Sequence, residues 1–352
     1  MRLYRRGFLA SGLSLFPLAA ALPWWLGHRP DDRKPVGHTA ASQAAIDKGL
    51  RWLQRTESKP GGHGPDINTP PNIGCTAMTG LALLSNGSTP AHGPQKEHLR
   101  RIVRFLVDKT DEMEGGNIAG KSNNSQLQSD LGYYAHTFFA LLFLSQVAGE
   151  VRTPGEVRDA VEKLTEAVVK AQTPNGDWGQ EAWAPILGTV MAWTSLRSAH
   201  FAGVSVGGSP DKTAEHLIGE MEKQAHQGNW MHRFYKNATG LRVLYAMDLE
   251  EEEVAQRAFK EIISLAENNN TAFNQAGGEE YLAFHLITET MLQKQDGDWD
   301  IWFPMVRDKI VAVQNKDGSW TGHHCITSRT FCTAAACTVL SAPNRFLPIS
   351  QG

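Results

Sequence analysis

From Ser42 onward, apolar positions recur three and four residues apart in segment after segment, the spacing of amphipathic helices. The pattern predicts six helical pairs: 44–55 with 75–84, 96–110 with 131–147, 157–172 with 187–201, 212–224 with 236–247, 251–268 with 278–293, and 302–314 with 330–341. The first helix of a pair is amphipathic, as in Glu97-His98-Leu99-Arg100-Arg101-Ile102-Val103. The second is nearly uncharged, as in Thr137-Phe138-Phe139-Ala140-Leu141-Leu142-Phe143-Leu144. A helix apolar all round is buried on all sides. Charged helices alternating with apolar ones describe an outer and an inner ring. The expected fold is therefore all-α, an (α/α)6 toroid of six helical hairpins. An open solenoid is the competing architecture, and the scarcity of charge on the second helices favours closure.

One turn recurs between these helices. It reads Gln-x-x-x-Gly-x-Trp at Gln172–Trp178, Gln224–Trp230 and Gln314–Trp320, with a degenerate copy at Gly115-Gly116-Asn117. Gly tolerates the left-handed conformation that ends a helix. The Gln amide can serve backbone groups left over at a helix end. The Trp offers a flat surface to pack over the turn. These features join helices and carry no chemistry themselves.

Three such turns between alternating helices resemble the terpenoid cyclase and protein prenyltransferase toroid family, over residues 42–348. Further residues that carry the resemblance are Tyr134-Ala135-His136-Thr137-Phe138, Trp299-Asp300-Ile301-Trp302-Phe303-Pro304 and the tail Pro343–Ile349, expected to pack back across the last hairpin. The resemblance implies a central apolar cavity that binds or transforms an isoprenoid or other lipid. Tyr134, Phe138, Trp193 and Tyr281 are its expected lining, with cation–π stabilisation of developing carbocations. The cyclase acid motif Asp-x-Asp-Asp is missing, and Asp296-Gly297-Asp298-Trp299-Asp300 matches in letters only. A binding module that has lost the acid is therefore the alternative.

The resemblance also implies zinc. Cys75 and His136 stand near the starts of consecutive inner helices, where prenyltransferases hold the ion, although Ile73 replaces the family's Asp. Cys332, His63 and Asp130 are candidate third ligands, since zinc takes at least three protein ligands. On this reading Cys75, His136 and Cys332 bind metal, and Cys75 and His136 are catalytic. His323-His324-Cys325 fits no strong ligand spacing. His285 and Glu289, four apart, share a helix face. Facing the cavity they serve as acid and base; facing a neighbouring helix they form a buried polar pair. A glycan-processing toroid needs paired carboxylates, and no such cluster stands out.

Composition adds limits. The 352 residues are 41% hydrophobic and 20% charged, suited to a globular core. A net charge of −3 without a long basic run excludes a nucleic-acid footprint. Four Cys are too few for a disulfide framework, although a Cys325–Cys332 bridge is open. Residues 1–27 resemble a twin-arginine export signal or membrane anchor: Arg5-Arg6-Gly7-Phe8-Leu9 precedes an uncharged run. Residues 28–41 read as a linker and 42–349 as the toroid. Export argues against prenyl transfer, whose diphosphate donors are made in the cytoplasm.

Overall fold

The computed structural model describes residues 37–120, 125–178, 181–222, 230–249, 252–268, 271–294 and 297–351. The export segment 1–27, linker residues 28–36 and most of the turn at 224–230 lie outside them. Fourteen helices run in chain order among the described residues. The outer ones are α1 (Ala40–Gln54), α3 (Lys96–Asp111), α6 (Pro154–Ala171), α8 (Ser209–Glu222), α10 (Glu253–Asn268) and α13 (Gly297–Ala312). The inner ones are α2 (Ile73–Ser85), α5 (Ala135–Val147), α7 (Pro185–Phe201), α9 (Trp230–Ala246), α12 (Gly278–Lys294) and α14 (Arg329–Ser341). Short α4 (Gln126–Leu131) and α11 (Thr271–Asn274) sit in the connections, and β1 (Glu57–Lys59) pairs antiparallel with β2 (Gly62–His63).

The inner helices pack in the order α2, α5, α7, α9, α12, α14, and α14 packs back on α2. The outer ring closes where α13 meets α1. The toroid is closed, not an open arc. Every residue of α2 and α5 is buried, and neither helix carries Asp, Glu, Lys or Arg. Outer α3 buries one face only, His98, Leu99, Ile102, Val103, Leu106, Val107 and Thr110.

The two described Gln-x-x-x-Gly-x-Trp turns tie one outer helix to the next, α6 to α8 and α13 to α1. Trp320 Nε1 donates to Ile310 O at 2.8 Å, folding the indole back over α13. Gln314 Nε2 donates to Gly318 O at 2.9 Å and to Ala45 O of α1 at 2.8 Å. At the other described copy, Trp178 Nε1 donates to Val168 O at 2.7 Å, and Gln172 Nε2 to Ser209 O of α8 at 3.0 Å. The amide thus reaches a neighbouring helix and not merely leftover groups of its own. Gly318 has φ +95°, and an added Cβ would lie 2.7 Å from Lys48 O, so the turn presses directly on the α1 backbone.

Three local departures have clear causes. The helix expected from residue 131 is interrupted at Gly132, φ +106°. There Asn117 Nδ2 and Gln128 Nε2 both donate to Tyr133 O, at 2.9 and 3.0 Å, holding the break open. The β hairpin was not expected from its Gly- and Pro-rich loop. Gly61 allows it, because a Cβ there would lie 2.0 Å from Arg101 O. The tail crosses the far end of the ring instead of only the last hairpin: Asn344 Nδ2 donates to Ser85 O of α2 at 3.1 Å, and Ile349 N to Gln146 Oε1 of α5 at 3.4 Å.

Beneath the hairpin lies a buried imidazole pair. Thr56 Oγ1 donates to Leu53 O at 2.8 Å, so it accepts from His63 Nδ1 at 2.9 Å. His63 Nε2 is therefore the acceptor for His98 Nε2–H, also at 2.9 Å. Burial, then the neighbouring His98, pushes the His63 pKa from 6.5 down to about 3. Burial acts to raise Glu57, but hydrogen bonds from Arg101 and the Gly61 N–H hold it at about 2.

Two outcomes follow from this packing. Gly318→Ala is expected to cost about 1–3 kcal/mol in urea unfolding, from left-handed strain and the Lys48 contact. Gly219→Ala, inside α8 with open space around it, is expected to gain about 0.5–1 kcal/mol; equal effects at the two sites would show that the turn does not bear on α1. Second, unfolded His63 takes up a proton near pH 6.5 whereas the folded residue resists until about 3. Stability should therefore fall as pH drops through that window, by up to about 1.4 kcal/mol per pH unit. Circular dichroism of the wild type and His63→Gln should give a shallower acid slope for the variant, and parallel curves would contradict the assignment.

Candidate functional site

The expected zinc residues do stand at inner-helix starts, but protein groups already occupy them. His136 Nδ1 accepts the Gly74 N–H at 3.1 Å, which leaves the proton on Nε2, 2.7 Å from Ser125 Oγ. Burial pushes this imidazole down to about 4. Cys75 Sγ lies 3.2 Å from Ser328 Oγ, and burial pushes its thiol up to about 12. Cys332 is likewise raised by burial, with Sγ 3.8 Å from Ile326 O. Both nitrogens of His136 are engaged by protein groups, and Cys75, His136 and Cys332 do not bring three ligand atoms within 4.8 Å of one another, so as arranged they do not fit a zinc site. All four cysteines are free, so the 325–332 bridge is not formed. His63 belongs to the imidazole pair under the hairpin.

The centre of the ring is narrower than the resemblance implied. The cavity there holds about 10 Å³, room for one water molecule. Aliphatic and polar side chains line it: Leu81, Leu142 and Met191, with Arg242, His285 and Glu289, under tail residues Leu347 and Ile349. His285 and Glu289 thus face the cavity together, with His285 Nδ1 lacking a hydrogen bond. Tyr134, Phe138, Trp193 and Tyr281 are not among the lining residues. Phe138 packs edge-on to Trp178 at 6.1 Å, Tyr281 edge-on to Phe284 at 6.0 Å, and Tyr134 edge-on to Tyr133 at 5.0 Å. Trp193 lies under the Arg197 guanidinium. Of the acidic run expected before the sixth outer helix, Asp298 and Asp300 stand instead in the first turn of α13, at the far end, where Asp298 Oδ2 accepts from Tyr245 Oη at 2.9 Å.

The chemistry concentrates instead at the mouth, where the inner helices begin. Glu279 and Glu280 occupy the first turn of α12, and both are fully buried. Their placement follows from the chain. Gly277 and Gly278 admit the loop before α14 so closely that a Cβ at either would lie within 2.6 Å of it. Gly278 N donates to Ile326 O at 2.9 Å, and His323 N to Ala276 O at 3.0 Å. That pairing brings His324 between the carboxyl groups, Nδ1 3.2 Å from Glu279 and Nε2 3.3 Å from Glu280. Glu280 accepts hydrogen bonds from Tyr235 Oη of α9 and from Gly277 N, the latter at 2.6 Å. Glu279 accepts from Ile326 N at 3.3 Å.

Burial, then repulsion from Glu279, pushes Glu280 up to about 8. The same two causes push Asp130, at the end of α4, up to about 6. Burial and its bond to Glu279 raise the Cys325 thiol. Negative charge at the start of α12 also suits the helix dipole. Trp183 packs on the residue that bonds Glu280, its ring 6.1 Å from Tyr235 and 5.1 Å from His232.

Among the described residues, Glu279, His324 and Cys325 are the group whose ligand atoms all lie within 4.8 Å of one another. Oxygen, nitrogen and sulfur are donors zinc accepts. As arranged, however, the thiol keeps its proton against Glu279 and the imidazole spans two carboxyl groups, so these residues hold one another. Glu279 and Glu280 escaped the sequence reading. The available signal was their charge: two adjacent acids open a helix of a ring whose other members are nearly free of them.

No family model and no curated protein matches the chain. Among solved structures, it is similar to the type II terpene cyclase MstE from Scytonema, at 12% identity over 88% of this chain and 100% of that one, TM-score 0.54. A variant of that enzyme in complex with geranylgeranyl dihydroxybenzoate, its substrate, matches at 13% identity over 87% and 98%, also at 0.54. A polysaccharide lyase matches at 12% identity over 87% and 98%, TM-score 0.46. What the chain shares with the cyclase is its fold, the terpenoid cyclase-like α/α toroid.

Proposed function

We propose that the protein is an enzyme that works by general acid–base catalysis on a polar substrate at the mouth of its toroid. One observation carries this reading: two adjacent carboxyl groups are fully buried and bridged by a single imidazole. Burying such a pair costs several kcal/mol that packing alone does not return, and α2 and α5 form their part of the ring without any charge. Glu280, fixed by Tyr235 and Gly277, is the proton donor. Glu279, paired with His324, is the proton acceptor. Asp130 shares the field of Glu279 and His324.

The fold's likeness to a terpene cyclase favours a second reading, action on an isoprenoid in the ring. Two features weigh against it. The central cavity has room for about one water, and protonating an alkene needs a strong acid, whereas Glu280 holds its proton tightly. A non-catalytic lipid-binding module meets the same lack of space. The paired carboxylates missing from the sequence reading are supplied by the fold, which reopens the glycan-processing class. An export signal at Arg5-Arg6 would place this chemistry outside the cytoplasm. None of the described helices is long and apolar enough to cross a membrane; a membrane anchor would belong to the N-terminal segment.

A panel of chromogenic esters, phosphates and glycosides, run beside geranylgeranyl substrates, tests the reading. Turnover of one polar class is expected, unaffected by EDTA and reduced about 10²–10⁴-fold by Glu280→Gln with the circular dichroism spectrum unchanged. Cyclised prenyl product from the Glu280→Gln protein at wild-type rate would refute it.

A further inference from the structure

We infer that the substrate at this mouth is a neutral saccharide and that Trp183 is the platform on which one sugar ring rests. What happens to the sugar rests on the acid–base reading above; its binding does not. Trp183 is 38% exposed, whereas Trp52, Trp178, Trp193, Trp299, Trp302 and Trp320 are each 6% exposed or less. An indole left in water is unusual in a fold that buries six others, and here it is also held in place. Its backbone N–H donates to Ser129 O at 3.1 Å. His232 and Tyr235 pack against its ring at 5.1 and 6.1 Å, and the Tyr235 hydroxyl continues to Glu280. A chain of contacts therefore runs from an exposed aromatic face to the buried acid pair.

A pyranose ring has what both ends of that chain require. Its C–H face is apolar and slightly positive, a match for the negative face of an indole. Its hydroxyl groups both donate and accept, a match for carboxyl oxygens and imidazole nitrogens. A hydrocarbon in the same place would cover the indole but strip water from the partly exposed His324 without replacing its hydrogen bonds. A uronate or sulfated sugar would bring its charge towards three carboxyl groups. Neutral sugars meet neither penalty. Two carboxyl groups flanking one bond are also the usual equipment for glycoside cleavage.

The test is calorimetric titration of full-length Glu280→Gln protein, which binds without turning over. The probes are cellohexaose, xylohexaose, maltohexaose and N-acetylchitohexaose, with hexagalacturonate and geranylgeraniol as counter-probes. At least one neutral hexasaccharide should bind saturably. Trp183→Ala, added to the same protein, should weaken it at least tenfold, and Trp183→Phe should restore part of the loss. The inference is overturned if no neutral saccharide binds, if only a counter-probe does, or if Trp183→Ala leaves affinity unchanged. A saccharide that binds through Trp183 but is left intact by the wild type would defeat the acid–base reading and keep the subsite. Glu280-dependent turnover of another class, with no saccharide bound, would do the reverse.

Discussion

Everything at the mouth depends on one backbone pairing, between the residues that open α12 and the loop that precedes α14. The N–H of Gly278 reaches Ile326 O, and the N–H of His323 reaches Ala276 O. These two bonds lock the fifth hairpin to the sixth. They also force a buried carboxyl pair to share a single imidazole. The contact is possible only because positions 277 and 278 lack side chains, since a Cβ at either would collide with the facing loop. The site is thus a product of the packing of two consecutive hairpins, which brings Glu279, Glu280 and His324 together.

The toroid itself is held by a different device. Inner helices, of which α2 and α5 carry no charge, pack on both neighbours and on the outer ring, and the hydrophobic effect makes that arrangement favourable wherever the chain closes. The Gln and Trp of the two described turns then join outer helices, one through an amide to the next helix and one through an indole folded back on its own. The tail seals the end opposite the mouth. The partly exposed groups linked to the buried acid pair, His324 and Trp183, lie at the mouth. The long connections run there too, including the β hairpin, α4 and the loop carrying His324, as expected where a rigid scaffold presents functional loops.

The architecture was legible because period and charge repeat six times, so each error of boundary was outvoted by five other pairs. Boundaries failed where a single residue spoke against its surroundings. The sixth outer helix was expected from residue 302. The helix begins at Gly297 and carries the proline inside. Stacking of Trp299 on Phe303 at 4.6 Å and the Trp302 bond to Thr288 Oγ1 at 2.9 Å outweigh its cost. The site was less legible. Cys75, His136 and Cys332 have the right residue types in the right places, but only coordinates reveal the Gly74 N–H and the two serine hydroxyls that occupy Cys75 and His136. Glu279 and Glu280 gave one faint cue, charge where the ring excludes it. Their meaning comes from Tyr235, 45 residues earlier, and from His324 in the next hairpin.

If Glu280 is buried for chemistry, it is held against the interest of the fold. A glutamine at that position can accept from Gly277 through its oxygen and donate to Tyr235 through its amide, so the hydrogen bonds survive while the buried acid pair is removed. The thermal midpoint of Glu280→Gln against the wild type at neutral pH measures this directly. An unchanged or higher midpoint is the result expected of a functional carboxyl. A midpoint many degrees lower would mean that the pair holds the toroid together and that the mouth is a structural clasp.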